Sequence, residues 1–257
     1  MRGRARQSQT FVTAFARGLG VIQAFGPEHR RMTVAEVAQR VGRDRAVTRR
    51  LLLTLAALGF AGTDGKHFEL TPKILRLGYS FLASVGLDTT LKPHLDELSR
   101  DIQETVSASV LEGSEVIFVA RSEIPGRRMA FVVSMGMRLP AFTSASGRVL
   151  LATKSDEEVE ALLEATRIDK LTRHTIVSPR TLRRAIRRTR SDGYAINREE
   201  LEEGLVGVSV PLRNRAGKVV ASLNTSTNAA RYSNERLVRE IIPKLAAAAI
   251  RMSDLVL

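Results

Sequence analysis

Apolar residues recur at helical spacing from the start of the chain. Phe11, Phe15, Leu19, Ile22 and Phe25 form one apolar face, which predicts a helix stopped by Gly26-Pro27. Thr33 followed by Glu36 has the spacing of a capping box, and the helix it opens, to about Arg40, turns Val34, Val37, Ala38 and Val41 inward before Gly42. Asp44 caps a third helix on which Val47, Leu51, Leu55 and Leu58 share an apolar side, with Arg45 and Arg49 opposite and Arg50 on a flank. Phe60–Thr63 and Lys66–Leu70 read as two short strands around the Asp64-Gly65 turn. Three helices and a β-hairpin within about 70 residues are the pattern of a winged helix-turn-helix.

From Pro72 to Gly86 the pattern is that of a linker helix, and Leu91, Leu95, Leu98 and Ile102 predict a further amphipathic helix to about Glu104. The period then switches to two. Strands are predicted at Ser107–Glu112, Val116–Arg121, Met129–Met135, Tyr194–Asn197, Leu205–Leu212 and Val219–Ser226. Helices are predicted at Ser144–Thr153, from Ser155 to Ala165, at Arg180–Ser191 after Ser178-Pro179, and from Ser233 to about Leu255. The fold class is therefore α+β, divided into a winged helix-turn-helix (1–71), a linker helix (72–86) and a C-terminal α/β domain (87–257).

Charge sharpens this division. The 257 residues carry 40 Lys and Arg against 27 Asp and Glu, but residues 1–80 hold 14 basic and 5 acidic groups, so +9 of the net +13 lies in the first third. Such an imbalance suits a polyanion-binding module, solubilising surface charge being the plainer account. Arg43, Arg45, Arg49 and Arg50 lie where a recognition helix meets the major groove, and an arginine fork donates two parallel bonds to guanine or phosphate. Arg45 and Arg49 are assigned to bases, Arg43 and Arg50 to phosphate. Thr33, Ala46, Thr48 and, on the wing, Lys66 complete the candidate set, with Arg2, Arg4 and Arg6 as a basic arm. A solvated helix face is the alternative.

Several classes are excluded. With no cysteine and four scattered histidines, neither a metal nor another cofactor is expected. No run of 18 apolar residues is present and the basic N-terminus leads into no apolar core, so a cytoplasmic protein without a membrane segment is expected. There is no phosphate loop, no GxSxG elbow and no paired-histidine motif, and the chain is not expected to be an enzyme. A hydrolase or transferase using Ser144 or Ser146 would lack an activating histidine or acid at motif spacing. A sequence-independent nucleic-acid binder is the other alternative. Asn224 and Ser226 alternate on a predicted strand and share a face, which lines either a small-molecule pocket or a solvated surface.

The run Gly193-Tyr194-Ala195-Ile196-Asn197-Arg198-Glu199-Glu200-Leu201-Glu202-Glu203-Gly204, followed by Val208–Leu212 and Val219–Asn224, resembles the C-terminal signature of IclR-type transcriptional regulators. Ser144–Ala152 resembles a second block of that family, and Arg50–Leu52 with Leu55–Gly59 matches its winged helix. Ile124–Arg128 and Gly136–Ala141 resemble the branch that controls aromatic-acid catabolism in response to protocatechuate, β-ketoadipate or p-hydroxybenzoate. The resemblance implies a GAF-like effector domain, a homodimer or homotetramer on double-stranded operator DNA, and a carboxylate effector. It carries effector roles to Ser144, Ala145 and Ser146, to Asn197 where the family has an acid, to Gly207 where it has a cysteine, and to Asn224 and Ser226. For the effector carboxylate the expected cations are Arg138 and then Arg148, against salt bridging with the Glu199–Glu203 run. Leu75, Leu77, Phe81 and Leu82 would carry the signal at a dimer contact. The arginines of 180–190 are expected on a solvated or subunit-facing surface.

Overall fold

The structure is a computed structural model that describes residues 11–26, 28–84, 90–122 and 134–256. Arg2, Arg4, Arg6, the branch motif at 124–128, the end of the predicted linker and most of the predicted strand 129–135 lie outside them. The chain divides into two compact units, Met1–Ser80 and Phe81–Leu257.

The first unit is a winged helix. Helices α1 (Thr13–Gln23), α2 (Val34–Val41) and α3 (Arg45–Ala57) pack with a three-stranded antiparallel sheet of β1 (Arg31–Thr33, between α1 and α2), β3 (His67–Leu70) and β2 (Ala61–Thr63), in that spatial order. Thr33 caps α2 in a full capping box with Glu36, and Asp44 caps α3 by accepting from the Ala46 and Val47 N–H groups. Each such cap stabilises its helix by about 1 kcal/mol. The strand β1 is not legible in the sequence, because three residues are too short to show a period.

Two predicted faces are rotated. The inward side of α3 is Thr48, Leu52 and Leu55, and Leu58 is exposed. On α1 the core takes Val21, with Ala24 just beyond the helix, and Phe11, Phe15 and Leu19 are exposed. The apolar side chains thus left over line a groove of about 600 Å³ with Leu77, which lies on α4 (Leu75–Ser84) after a 3-10 turn at Pro72–Ile74.

The second unit is built on a six-stranded antiparallel sheet ordered β6 (Arg138–Pro140), β5 (Glu115–Ser122), β4 (Thr105–Glu112), β9 (Val219–Asn228), β8 (Leu205–Arg213), β7 (Ala195–Arg198). The observed edge strand is Arg138–Pro140. Ser134–Met137, within reach of the predicted third strand, instead forms a turn closed by the Met137 N–H to Ser134 O bond. One sheet face carries Val206, Val208, Val210, Ala221 and Leu223 into a core with α5 (Lys92–Ile102) and α10 (Ile242–Met252). The other face meets α6 (Ala145–Leu151), which is buried throughout and packs outward on α8 (Pro179–Asp192) beside α7 (Asp156–Ala165). The C-terminal helix is not continuous. After the short α9 (Asn234–Arg236) a π-turn at Leu237–Ile241 sends the Ile242 N–H to Leu237 O, ahead of Pro243, which has no N–H to continue the ladder.

Among the described residues no helix is long and apolar enough to cross a membrane.

Candidate functional site

On the winged helix, α3 begins with Arg45, Ala46 and Arg49 exposed, Arg43 exposed just before it, and Lys66 exposed at the hairpin tip. Arg50 is exposed too, but it lines the apolar groove. Two candidates fall away. Thr48 is fully buried and its hydroxyl donates to Asp44 O, a back-bond inside the helix, so it has no face toward DNA. The Thr33 hydroxyl is spent on Glu36 in the cap. The wing is preorganised by Asp64, which accepts from the backbone N–H groups of His67 and Lys66 and pairs with Arg31. Those N–H bonds, ahead of the His67 and Arg31 side chains, hold its carboxyl far below the usual carboxylate range. A rigid, cationic wing tip is the result.

In the second unit a cavity opens between the sheet and the start of α6. Phe118, Leu139, Leu201 and Leu205 form its apolar walls; Ser144, Ala145, Ser146, Asn197, Gly207, Asn224 and Ser226 also line it. The ladder explains the convergence: Gly207 pairs with both Asn197 and Ser226, and Asn224 stands between Ser107 and Ser209. Ser144 caps α6 by accepting from the Gly147 N–H, and Asn197 Nδ2 donates to Thr143 O at 2.8 Å, which fixes the loop before α6 against β7. The buried hydroxyls of Ser109 and Ser222 on the sheet bond each other, but Asn224 Oδ1 is buried without a partner. An unsatisfied acceptor facing a cavity is a place for a ligand donor.

Neither expected arginine lines this cavity, and no charged side chain does among the described residues. Arg138 alternates with Leu139 on the edge strand, so that Leu139 faces the cavity while Arg138 pairs with Glu112 and Glu115 at the surface. Arg148 is 4% exposed and bonds Glu200 through both terminal nitrogens at 2.7 Å. The Glu199–Glu203 run does take up Arg148, but in the interior. Glu200 could have been singled out only from the signature run. The wall residues Phe118, Leu139, Leu201 and Leu205 look like ordinary core positions in sequence. Three of the six arginines of α8 are taken up by α7: Arg183 pairs with Glu160, and Arg187 and Arg190 with Asp156.

The cavity holds about 30 Å³, room for one or two waters. An organic ligand enters only if a wall yields.

Comparison with known proteins gives a consistent picture. Residues 14–65 match the IclR helix-turn-helix domain and residues 79–254 the family described as bacterial transcriptional regulator IclR C-terminal. The Pca regulon regulatory protein of Pseudomonas putida is 37% identical over 238 residues, 93% of this chain and 82% of that protein. A transcriptional regulator from Rhodococcus sp. is 41% identical in its solved structure, with a TM-score of 0.81 over 95% of this chain and 97% of the other. A double mutant of the PobR inducer-binding domain from Acinetobacter, solved with 3-hydroxybenzoic acid, is 29% identical with a TM-score of 0.60, over 64% of this chain and 96% of that one.

Proposed function

The chain belongs to the IclR family of transcriptional regulators, and from that premise we propose that an aromatic carboxylic acid bound between α6 and the sheet controls its hold on operator DNA. The observation that carries this reading is the cavity itself. It pairs the Phe118 and Leu139 side chains, fit to cover a ring, with the Ser146 hydroxyl and the amides of Asn197 and Asn224, fit to bond hydroxyl and carboxylate oxygens. The PobR domain crystallised with an aromatic acid supports the ligand class. Gly207 lacks a side chain where one would project toward Ala145, which leaves the ring more room.

A ligand shifts an equilibrium only if it binds the two states unequally. The closed cavity has no space for a benzoate, so the acid binds the opened form alone. A coupling of about 1–3 kcal/mol between that opening and the arrangement of the DNA-binding units changes operator affinity about 5- to 150-fold.

On DNA, Arg45 and Arg49 read base edges from the start of α3, while Arg43 and Lys66 meet phosphate. The active species is a homodimer or homotetramer, because a single copy leaves Phe15, Leu19, Leu58 and Leu77 around an apolar groove that a second copy would cover.

The test is a thermal-shift screen of benzoate and its hydroxylated derivatives, followed by operator titration with each stabilising acid at fixed salt. The expected result is stabilisation by a hydroxybenzoate and a matching change in operator affinity. Stabilisation by none of them overturns the ligand assignment. In parallel, Arg45→Ala and Arg49→Ala should cut the preference for operator over random DNA, about a thousandfold or more in the native protein, whereas Lys66→Ala should weaken both equally.

A further inference from the structure

The Arg148–Glu200 ion pair is deeply buried, at 5% and 6% exposure for the two side chains, and it does not face the ligand cavity. It joins three segments that are distant in sequence. Arg148 Nε donates to Phe142 O, in the loop that delivers Ser144 and Ser146 to the cavity. The Glu200 carboxylate also accepts from the Ile176 N–H, and its own carbonyl accepts from the Thr175 hydroxyl. Thr172 Oγ1 donates to Glu199 O at 2.6 Å. Directly beyond Glu200 come Leu201 and Leu205, which form one wall of the cavity.

The backbone of that wall is a tight turn, in which the Leu205 N–H also donates to Glu202 O and the Ala229 N–H to Gly204 O. Glu199 adopts a positive φ of 59°, its N–H bonds Leu205 O, and its carboxylate closes the turn through the Gly204 N–H. Between these two ends, Glu200 ties the turn to α6 through the Arg148 guanidinium. A buried carboxylate and a guanidinium deprived of each other would each be stranded away from water, so the pair favours one geometry strongly. The arginine fork makes that geometry directional, which a lysine ammonium could not do.

We propose that Arg148 and Glu200 are positioning residues for the effector site: by clamping the 199–205 turn onto the loop before α6, they set how far Leu201 and Leu205 stand from Ser144 and Ser146, and therefore which ligand sizes the site accepts. The ligand class used in the test rests on the proposed function, but the clamp itself can be read without any ligand. Because the closed cavity admits about two waters at most, ligand size is decided by how the wall yields, and a directional clamp confines that yielding to a defined opening. Without the clamp the wall becomes compliant and size discrimination is lost, although the contacting side chains are all still present.

The experiment uses the full-length protein, the Arg148→Lys variant and the double variant Arg148→Met with Glu200→Leu. The double variant removes both charges together and avoids a stranded one, so it keeps the test open should Arg148→Lys fail to fold. In ligand-free protein, amide exchange at residues 201–205 should quicken about tenfold in both variants while β8 residues 206–212 keep their protection. With 4-hydroxybenzoate and its bulkier 3-methoxy derivative as probes, the native protein should prefer the compact acid about tenfold or more, and both variants should bind the two acids alike. Operator affinity without ligand should stay within about twofold of native, well under the tenfold step that corresponds to 1.4 kcal/mol. A merely structural pair would weaken both acids equally and leave their ratio intact; that result, or unchanged exchange at 201–205, overturns the proposal. If the native protein binds neither acid, the aromatic-acid reading falls, and the exchange measurement alone decides the clamp.

Discussion

At Gly147 an added Cβ would stand 2.1 Å from Ala141 O and 2.2 Å from its Cα. The neighbour is backbone and cannot swing aside, so the position is closed to any side chain. Gly147→Ala should lower stability by about 2 kcal/mol or more, read as a shift of the urea midpoint, because the displaced loop also carries Ser144. Gly207 is the opposite case. Its added Cβ would touch Ala145 Cβ at 3.4 Å, an ordinary contact, and would project into the cavity. Gly207→Ala should therefore leave the urea midpoint nearly unchanged and weaken the effector about tenfold, the discrimination one methyl-sized group supports. Both positions look alike as single glycines in sequence. Their difference lies in what the fold places beside them.

The pairing of α7 with α8 shows how charge is used between elements. Asp156 is held below the ordinary carboxylate value by hydrogen bonds from Arg187 and then Arg190, and Glu160 by those from Arg183. A carboxylate depressed in the folded state contributes stability above its unfolded value and loses it as the pH falls through the folded one. These pairs should therefore weaken as the solution drops below about pH 4, the unfolded range for Asp and Glu. Amide exchange along α8 should rise there earlier than along α10, whose buried face is apolar. Equal acid sensitivity of the two helices would contradict this account. The start of α8 was plain in its sequence at Ser178-Pro179, and the structure turns Leu182 and Ile186 inward. Three of its arginines are taken up by Asp156 and Glu160 of α7, a partner that no pattern within α8 reveals.

For the whole molecule, the apolar groove of the winged-helix unit is the feature with the largest consequence. Its rim includes Phe15 at 68% exposure and Leu77 at 52%. If a second copy covers it, Phe15→Asp and Leu77→Asp should each shift the sedimentation profile toward monomer and weaken operator binding, since one copy then holds one half-site. An unchanged profile in both variants would rule the groove out as the contact. The core of that unit, around Leu52, Phe68 and Met32, does not include either residue, so the fold should survive.

Local pattern determined most helices of this protein, though not the short β1 or the break in the C-terminal helix: period and capping residues are properties of neighbouring positions, and Thr33, Asp44, Ser144 and Ser155 all cap their helices. The order of winged helix before α/β sheet was equally legible, as was the convergence of Asn224 and Ser226 on one strand face. Which apolar stripe turns inward was not, because α1 and α3 each carry more apolar surface than the core can take, and only packing decides which part stays outside. The partner of a long charged side chain was likewise undecided. Arg138 and Arg148 are the same residue type flanking the same loop, yet one meets surface glutamates on a sheet edge and the other a glutamate 52 positions away in the interior. Such pairings are set by three-dimensional distance and by the cost of leaving a charge unsolvated, and neither is written in the order of residues along the chain.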